Sequence, residues 1–238
     1  AFEPILVELL NGRGFVLLNR VPIETLSVDQ IRRVYWRIGE SLGIPIEQNI
    51  QGAMLYDVKD TGADVSEGAR FSITNAESGF HTDASFMPAP PDLVGLLCLR
   101  TAKEGGESQL VSAYTLHNEI SRQDPSALST LYDVFRIDRR GQVREGEPEV
   151  MTAPIFATQD DGLMTRYLDY YIEVGHESVG EPLTDEQRVA LGAVKDALRG
   201  FSGAMDPSTT GPWLKEECCR GRREISFLQF LLRSSFIG

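Results

Sequence analysis

Histidine and cysteine are scarce in this chain, with three of each in 238 residues. The cysteines are Cys98, Cys218 and Cys219. An odd count with two adjacent positions excludes a disulfide framework and points to a reducing, cytoplasmic setting. Cys98 falls in an apolar run and reads as a small core residue. Long hydrophobic runs are lacking, which excludes a membrane-spanning helix. Residues 5–10 are too short, and too interrupted by Glu8, to form the core of a signal peptide. The chain opens on Ala1 in place of Met, as expected where a leading segment has been trimmed or left unrecorded. Positive charge is in deficit, with 23 Lys and Arg against 35 Asp and Glu and a net charge of -12. Such a surface argues against nucleic acid or an anionic membrane as a partner and otherwise serves solubility. No internal repeat or low-complexity block is present.

What is there suits one large domain with a substantial core, since 42% of the residues are hydrophobic. Residues 14–18 (GFVLL) read as a short buried strand. Ser27-Val28-Asp29-Gln30 is a capping box, followed by Ile31, Tyr35, Ile38 and Leu42 at helical spacing and a stop at Gly43 and Pro45. Residues 54–58 are strand-like and residues 60–68 a polar loop. Pro88-Ala89-Pro90-Pro91 is a stiff connection. Residues 93–99 form a strand, Gly105-Gly106 a turn, and residues 109–111 the returning arm of a hairpin. Asp124-Pro125 is an N-cap and N1 pair within a helical interlude that carries His117. Strands are expected at 134–137, 154–157 and 163–168, with a turn at 160–162. Thr184-Asp185-Glu186-Gln187 is a second capping box, and Leu191, Val194 and Leu198 give its helix an apolar face that ends at Gly200. Residues 206–212 read as a loop and residues 225–232 as the last strand. Short strands without regular strand–helix alternation fit a double-sheet jelly roll better than a parallel α/β fold.

The chemistry concentrates in Gly79-Phe80-His81-Thr82-Asp83-Ala84-Ser85-Phe86. On a strand, His81 and Asp83 share one face while Thr82 points away. An imidazole and a carboxylate so placed are two-thirds of the 2-His-1-carboxylate facial triad that holds non-haem Fe(II). From residue type alone, a hydrogen-bonded structural histidine is the commoner reading of His81. Arg166 reads equally as a bidentate anchor for a substrate carboxylate or as a structural ion pair.

The run over residues 81–100 (HTDASFMPAPPDLVGLLCLR) resembles the TauD/TfdA group of Fe(II)/2-oxoglutarate-dependent dioxygenases. Gly105-Gly106-Glu107-Ser108, Val111-Ser112-Ala113, Thr165-Arg166-Tyr167, residues 171–176 (YIEVGH) and Pro182-Leu183-Thr184 continue the match in the family's order. The resemblance spans roughly residues 11–200. It implies a mixed α/β fold with a mainly β core, a double-stranded β-helix (jelly roll) with flanking helices. It implies Fe(II) held by His81 and Asp83, with 2-oxoglutarate chelating the metal and Ser108 helping to hold the co-substrate carboxylate. The implied reaction consumes 2-oxoglutarate and O2, releases succinate and CO2, and hydroxylates or desaturates a small molecule, an amino acid or other carboxylate. No nucleic acid or membrane partner is implied.

The tail departs from the family pattern. The resemblance implies a closing strand of the form G-[DE]-I-x-F-L-N-N and then a Leu-His-x-Arg segment supplying the third iron ligand, with an Arg for 2-oxoglutarate further on. Arg223-Glu224-Ile225-Ser226-Phe227-Leu228-Gln229-Phe230 begins that pattern, but no histidine follows His176. Residues 1–238 therefore read as a single dioxygenase-like domain, truncated or altered after about residue 215. His117 and His176 are the remaining candidates for the third ligand, and Ser235 is a poor one. A catalytically inactive relative is the alternative function, and a jelly-roll hydrolase using another divalent metal ranks last.

Overall fold

The computed structural model describes residues 2–18, 21–100, 108–159, 162–201, 213–217 and 226–233, with Ser108, Gln159 and the last two strands described by their backbone. Two helices open the chain. α1 (Glu3–Asn11), unannounced by the sequence pattern, carries proline in its first turn, where the missing N–H costs nothing. α2 (Val28–Leu42) starts at the expected capping box. Gln30 N–H donates to Ser27 Oγ at 3.3 Å, and Ser27 N–H donates to Gln30 Oε1 at 2.8 Å. Ile31, Tyr35 and Leu42 are buried along one stripe, and the helix closes at Gly43.

Residues 14–18 form no strand, and Leu17 is 84% exposed. The run has strand-like composition, but a strand is stabilised by a partner edge, and among the described residues none pairs with it.

The strands are β1 (Ile44–Ile46), β2 (Tyr56–Lys59), β3 (Ser78–His81), β4 (Leu93–Arg100), β5 (Ser108–Ser112) and β6 (Phe135–Asp138). They continue as β7 (Val150–Ala153), β8 (Phe156–Gln159), β9 (Gly162–Thr165), β10 (Trp213–Glu217) and β11 (Ser226–Arg233). In the larger sheet β11 is central and antiparallel to all its neighbours. One edge meets β1 through residues 231–233 and β2 through residues 226–229, and the other meets β4. In the second sheet β10 lies between β3 and β5. The expected hairpin between residues 93–99 and 109–111 is therefore overturned. Local sequence identifies both strands, β4 by its nearly continuous apolar run, but not their partners, and each pairs with a strand from the far end of the chain. β6–β7 and β8–β9 are separate two-stranded ribbons. The expected turns at Gly105-Gly106 and Asp160-Asp161, the loop at 206–212, and Cys218 and Cys219 lie outside the described residues.

Four further helices complete the mixed α/β fold: α3 (Ala113–Gln123), α4 (Pro125–Thr130), α5 (Asp169–Ser178) and α6 (Asp185–Phe201). Asp124 caps α4 by accepting from Ala127 N–H at 2.9 Å, as its Asp-Pro start predicts. Thr184 and Gln187 cap α6 reciprocally, at 3.0 and 3.1 Å. That helix runs past Gly200 to Phe201. His176, expected after a strand, lies in α5. The Tyr-Tyr-Ile-Glu-Val run has strand propensity, but packing of α5 across β6 overrides it.

The principal core joins α3–α6 to the ribbons, with Leu116, Ile120, Phe135, Phe156, Ile172 and Val194 fully buried. A smaller cluster sets α1 and α2 against Leu93, Leu97 and Leu99 of β4. No described helix is long and apolar enough to cross a membrane.

Candidate metal centre

β3 ends at His81, so Asp83 is not on the strand but in the turn that follows. The expected alternation on one strand face is corrected, yet the two side chains still converge. His81 Nε2 stands 3.7 Å from Asp83 Oδ1. The other nitrogen explains why. His81 Nδ1 lies 2.8 Å from the Gly79 carbonyl and 3.1 Å from Ser78 Oγ. A carbonyl can only accept, so the proton of a neutral imidazole sits on Nδ1 and the Nε2 lone pair is left for a ligand. His81 is 7% exposed and Ser78 4%. Both are deep enough for this contact to fix the ring.

Thr82, expected to point away from the pair, pins the segment. Its N–H donates to the Tyr167 carbonyl at 2.8 Å, and its Oγ1 accepts from Tyr167 N–H at 2.9 Å. Just beyond, Ala84 adopts φ +52°, a left-handed conformation that costs a non-glycine residue roughly 1–2 kcal/mol. Arg166 stabilises this turn. Its guanidinium is buried and donates to the carbonyls of Ser85, Met87 and Pro88. Arg166 and Tyr167 thus grip both sides of Asp83 from the end of β9.

His81 and Asp83 open on a cavity also lined by Gln48, Tyr56, Arg70, Ser85 and Tyr171. Burial pushes the Tyr171 phenol up to about 12, against the opposing pull of the Arg140 and Arg70 guanidiniums, so it stays a neutral hydroxyl. Ser108 starts β5 opposite Glu217 on β10, and its side chain lies outside the described residues.

A neutral imidazole nitrogen and a carboxylate oxygen are the donor types that suit Fe(II). Bonds of about 2.1 Å would place neighbouring octahedral donors about 3 Å apart, a small closure from what is observed. The pair therefore fits two positions of a ferrous site. Among the described residues no third His, Cys, Asp or Glu joins it. His176 Nε2 accepts from Arg136 N–H at 3.0 Å and Nδ1 donates to the Glu181 carbonyl at 2.8 Å, so both nitrogens are engaged. His117 Nε2 bonds Tyr132 Oη at 2.8 Å, with the ring edge-on to Phe156. Neither histidine lines the cavity.

The fold thus ends a strand at a buried imidazole and sets a carboxylate 3.7 Å from it across the turn that follows. The chain belongs to the taurine catabolism dioxygenase TauD, TfdA family, whose family model matches residues 3–202. It is 31% identical over 187 residues to FR-33289 synthase of Streptomyces rubellomurinus (strain ATCC 31215), a match covering 77% of this chain and 53% of that protein. It is 29% identical over 136 residues to a uridine-5'-phosphate dioxygenase of Amycolatopsis sp, covering 53% and 49%. The chain thus spans about half the length of these curated relatives. Among solved structures, it superposes on asparagine oxygenase in complex with Fe(II), 2S,3S-3-hydroxyasparagine and succinate. The TM-score is 0.61 at 16% identity, over 94% of this chain and 71% of that one. The non-heme iron oxygenase OrfP, as its D157A mutant with (3S)-hydroxy-L-Arg, superposes with a TM-score of 0.56 at 13% identity, over 87% and 65%. At these identities the likeness is one of fold.

Proposed function

We propose that this chain is an Fe(II)- and 2-oxoglutarate-dependent oxygenase that hydroxylates or desaturates a polar small molecule, on the double-stranded β-helix of its family. The observation that carries the reading is the setting of the His81 ring, with Nδ1 2.8 Å from the Gly79 carbonyl and Nε2 turned toward Asp83. In this reading His81 and Asp83 hold the metal, and Ser108 helps hold the 2-oxoglutarate carboxylate. When bound, Fe(II) with 2-oxoglutarate and O2 supplies the oxidising chemistry, releasing succinate and CO2. The protein's own part is positional. Gly79 and Ser78 fix the imidazole ring, Thr82 and Tyr167 fix the backbone between the two ligands, and Arg166 fixes the turn beyond. These hydrogen bonds support Arg166 as a positioning residue in place of a substrate anchor. The relatives named for asparagine, hydroxy-arginine and uridine 5'-phosphate support a substrate bearing charged groups, an amino acid or another carboxylate.

The incomplete ligand set among the described residues favours a second reading, a family member that does not turn over. Anaerobic Fe(II) titration followed by a succinate assay decides between them. Fe(II) binding with 2-oxoglutarate-dependent succinate release is the expected result. Absence of both selects the inactive reading.

A further inference from the structure

The cavity beside His81 and Asp83 contains two polar groups that the metal reading leaves unused. Arg70 lines it, with its guanidinium 4.6 Å from the Tyr56 ring centroid. Arg70 Nη1 makes a long contact of 3.5 Å to the Gln48 carbonyl, and among the described residues no acidic side chain pairs with it. Stacking on an aromatic face leaves the edges of a guanidinium available, and those edges match an oxyanion in bidentate geometry. Ser85 lines the same cavity. It is 2% exposed, and among the described residues its hydroxyl has no hydrogen-bond partner. A buried hydroxyl left so costs about 1–3 kcal/mol, and a bound acceptor would recover that.

The backbone leading to Arg70 is held with unusual effort. Arg140, at the end of β6, sends a guanidinium only 5% exposed onto the carbonyls of Val65 and Ala69. It lies over the rings of Tyr170 and Tyr171, 5.4 and 5.5 Å from their centroids. Its own φ is +50°, strained for an arginine. Strain of this kind persists only where the surroundings over-determine it, and it gathers at ligand-binding sites. Here the Arg140 guanidinium holds the carbonyl of Ala69, the residue immediately before Arg70.

We infer that Arg70, with the Ser85 hydroxyl, is the anchor for an anionic group of the substrate, a carboxylate or a phosphorus oxyanion. The assignment rests on the oxygenase reading for what lies beside it, but the anion site can be tested without turnover. Titrate the whole wild-type chain, without metal, with inorganic phosphate and separately with acetate, following binding by NMR shift or calorimetry. Repeat with Arg70→Gln and Ser85→Ala, and measure 2-oxoglutarate affinity in the Fe(II)-loaded proteins. Expected is saturable binding of at least one probe, weakened about tenfold by Arg70→Gln and about threefold by Ser85→Ala, with 2-oxoglutarate affinity preserved. Preference for phosphate or for acetate identifies the class of anion. No saturable binding in wild type, or equal binding in Arg70→Gln, overturns the inference. So does loss of 2-oxoglutarate affinity in Arg70→Gln, which would assign the residue to the co-substrate. Arg70→Lys serves as the folding control, retaining the charge without the bidentate edge. If wild type binds the probes but not Fe(II), the oxygenase reading falls and the anion site stands.

Discussion

What separates the three histidines of this chain is what their nitrogens meet. His176 has both engaged by backbone, His117 bonds a tyrosine hydroxyl, and only His81 combines a fixed Nδ1–H with an Nε2 facing a carboxylate. His81→Ala is expected to abolish Fe(II) binding, read by anaerobic calorimetry, while leaving the fold intact. His176→Ala should do the reverse. It leaves the part-buried Arg136 N–H and Glu181 carbonyl without their partner and opens a cavity at a cost of roughly 2 kcal/mol, seen as a lower urea midpoint, and folded molecules should still bind Fe(II). Thr82→Val keeps the shape of the side chain but removes the oxygen that accepts from Tyr167. Its expected effect is weaker Fe(II) binding by about tenfold, since ligands held loosely must be ordered by the metal. An unchanged affinity would remove Thr82 from the positioning role.

Between elements, α5 and β6 are in tight contact at Gly175. A Cβ on Gly175 would stand 2.7 Å from the Arg136 carbonyl oxygen and from Asp138 N, both backbone atoms that cannot swing aside. Gly175→Ala should therefore push α5 off β6 and cost about 1–3 kcal/mol in chemical denaturation. Gly192 offers the opposite case, because it lies inside α6 with nothing within 4 Å of the added Cβ. Gly192→Ala should stabilise by up to about 1 kcal/mol, since alanine loses less backbone freedom in a helix. Equal effects of the two substitutions would contradict this account of the α5–β6 contact.

For the molecule as a whole, pH dependence on the alkaline side follows from buried tyrosines. Burial pushes Tyr35, Tyr167 and Tyr171 upward, Tyr171 to about 12, and the carboxylates of Asp169 and Glu173 add to the rise at Tyr167. An unfolded tyrosine ionises near pH ~10. Below that value both states hold the proton and the contribution is constant. Above it the unfolded chain releases protons that the folded chain retains, so stability falls as pH rises through the folded values. Thermal melts at increasing pH should show a midpoint that declines from about pH 10 upward. Tyr171→Phe should make the decline shallower. A midpoint level to pH ~12 would show these phenols to be solvent-accessible.

The helices whose boundaries carry capping chemistry were legible because a cap is local. Ser27 with Gln30, Asp124 before Pro125, and Thr184 with Gln187 act within three residues and need nothing from elsewhere in the chain. The same holds for the nearly continuous apolar run that marks β4 as a strand. The proximity of His81 to Asp83 also followed from two positions of separation, although a turn and not a strand delivers it. What the sequence left undetermined is everything that depends on a partner distant along the chain. Residues 14–18 have the composition of a strand but no edge to join, and residues 171–176 become helix because β6 receives them. β4 and β5 enter different sheets because β11 and β10 arrive between them and other neighbours. The grip of Arg166 and Tyr167 on the turn, and the meeting of Arg70 and Ser85 on one cavity, were set by tertiary packing. Such contacts join groups up to 85 residues apart, and spacing along the chain carries no record of them.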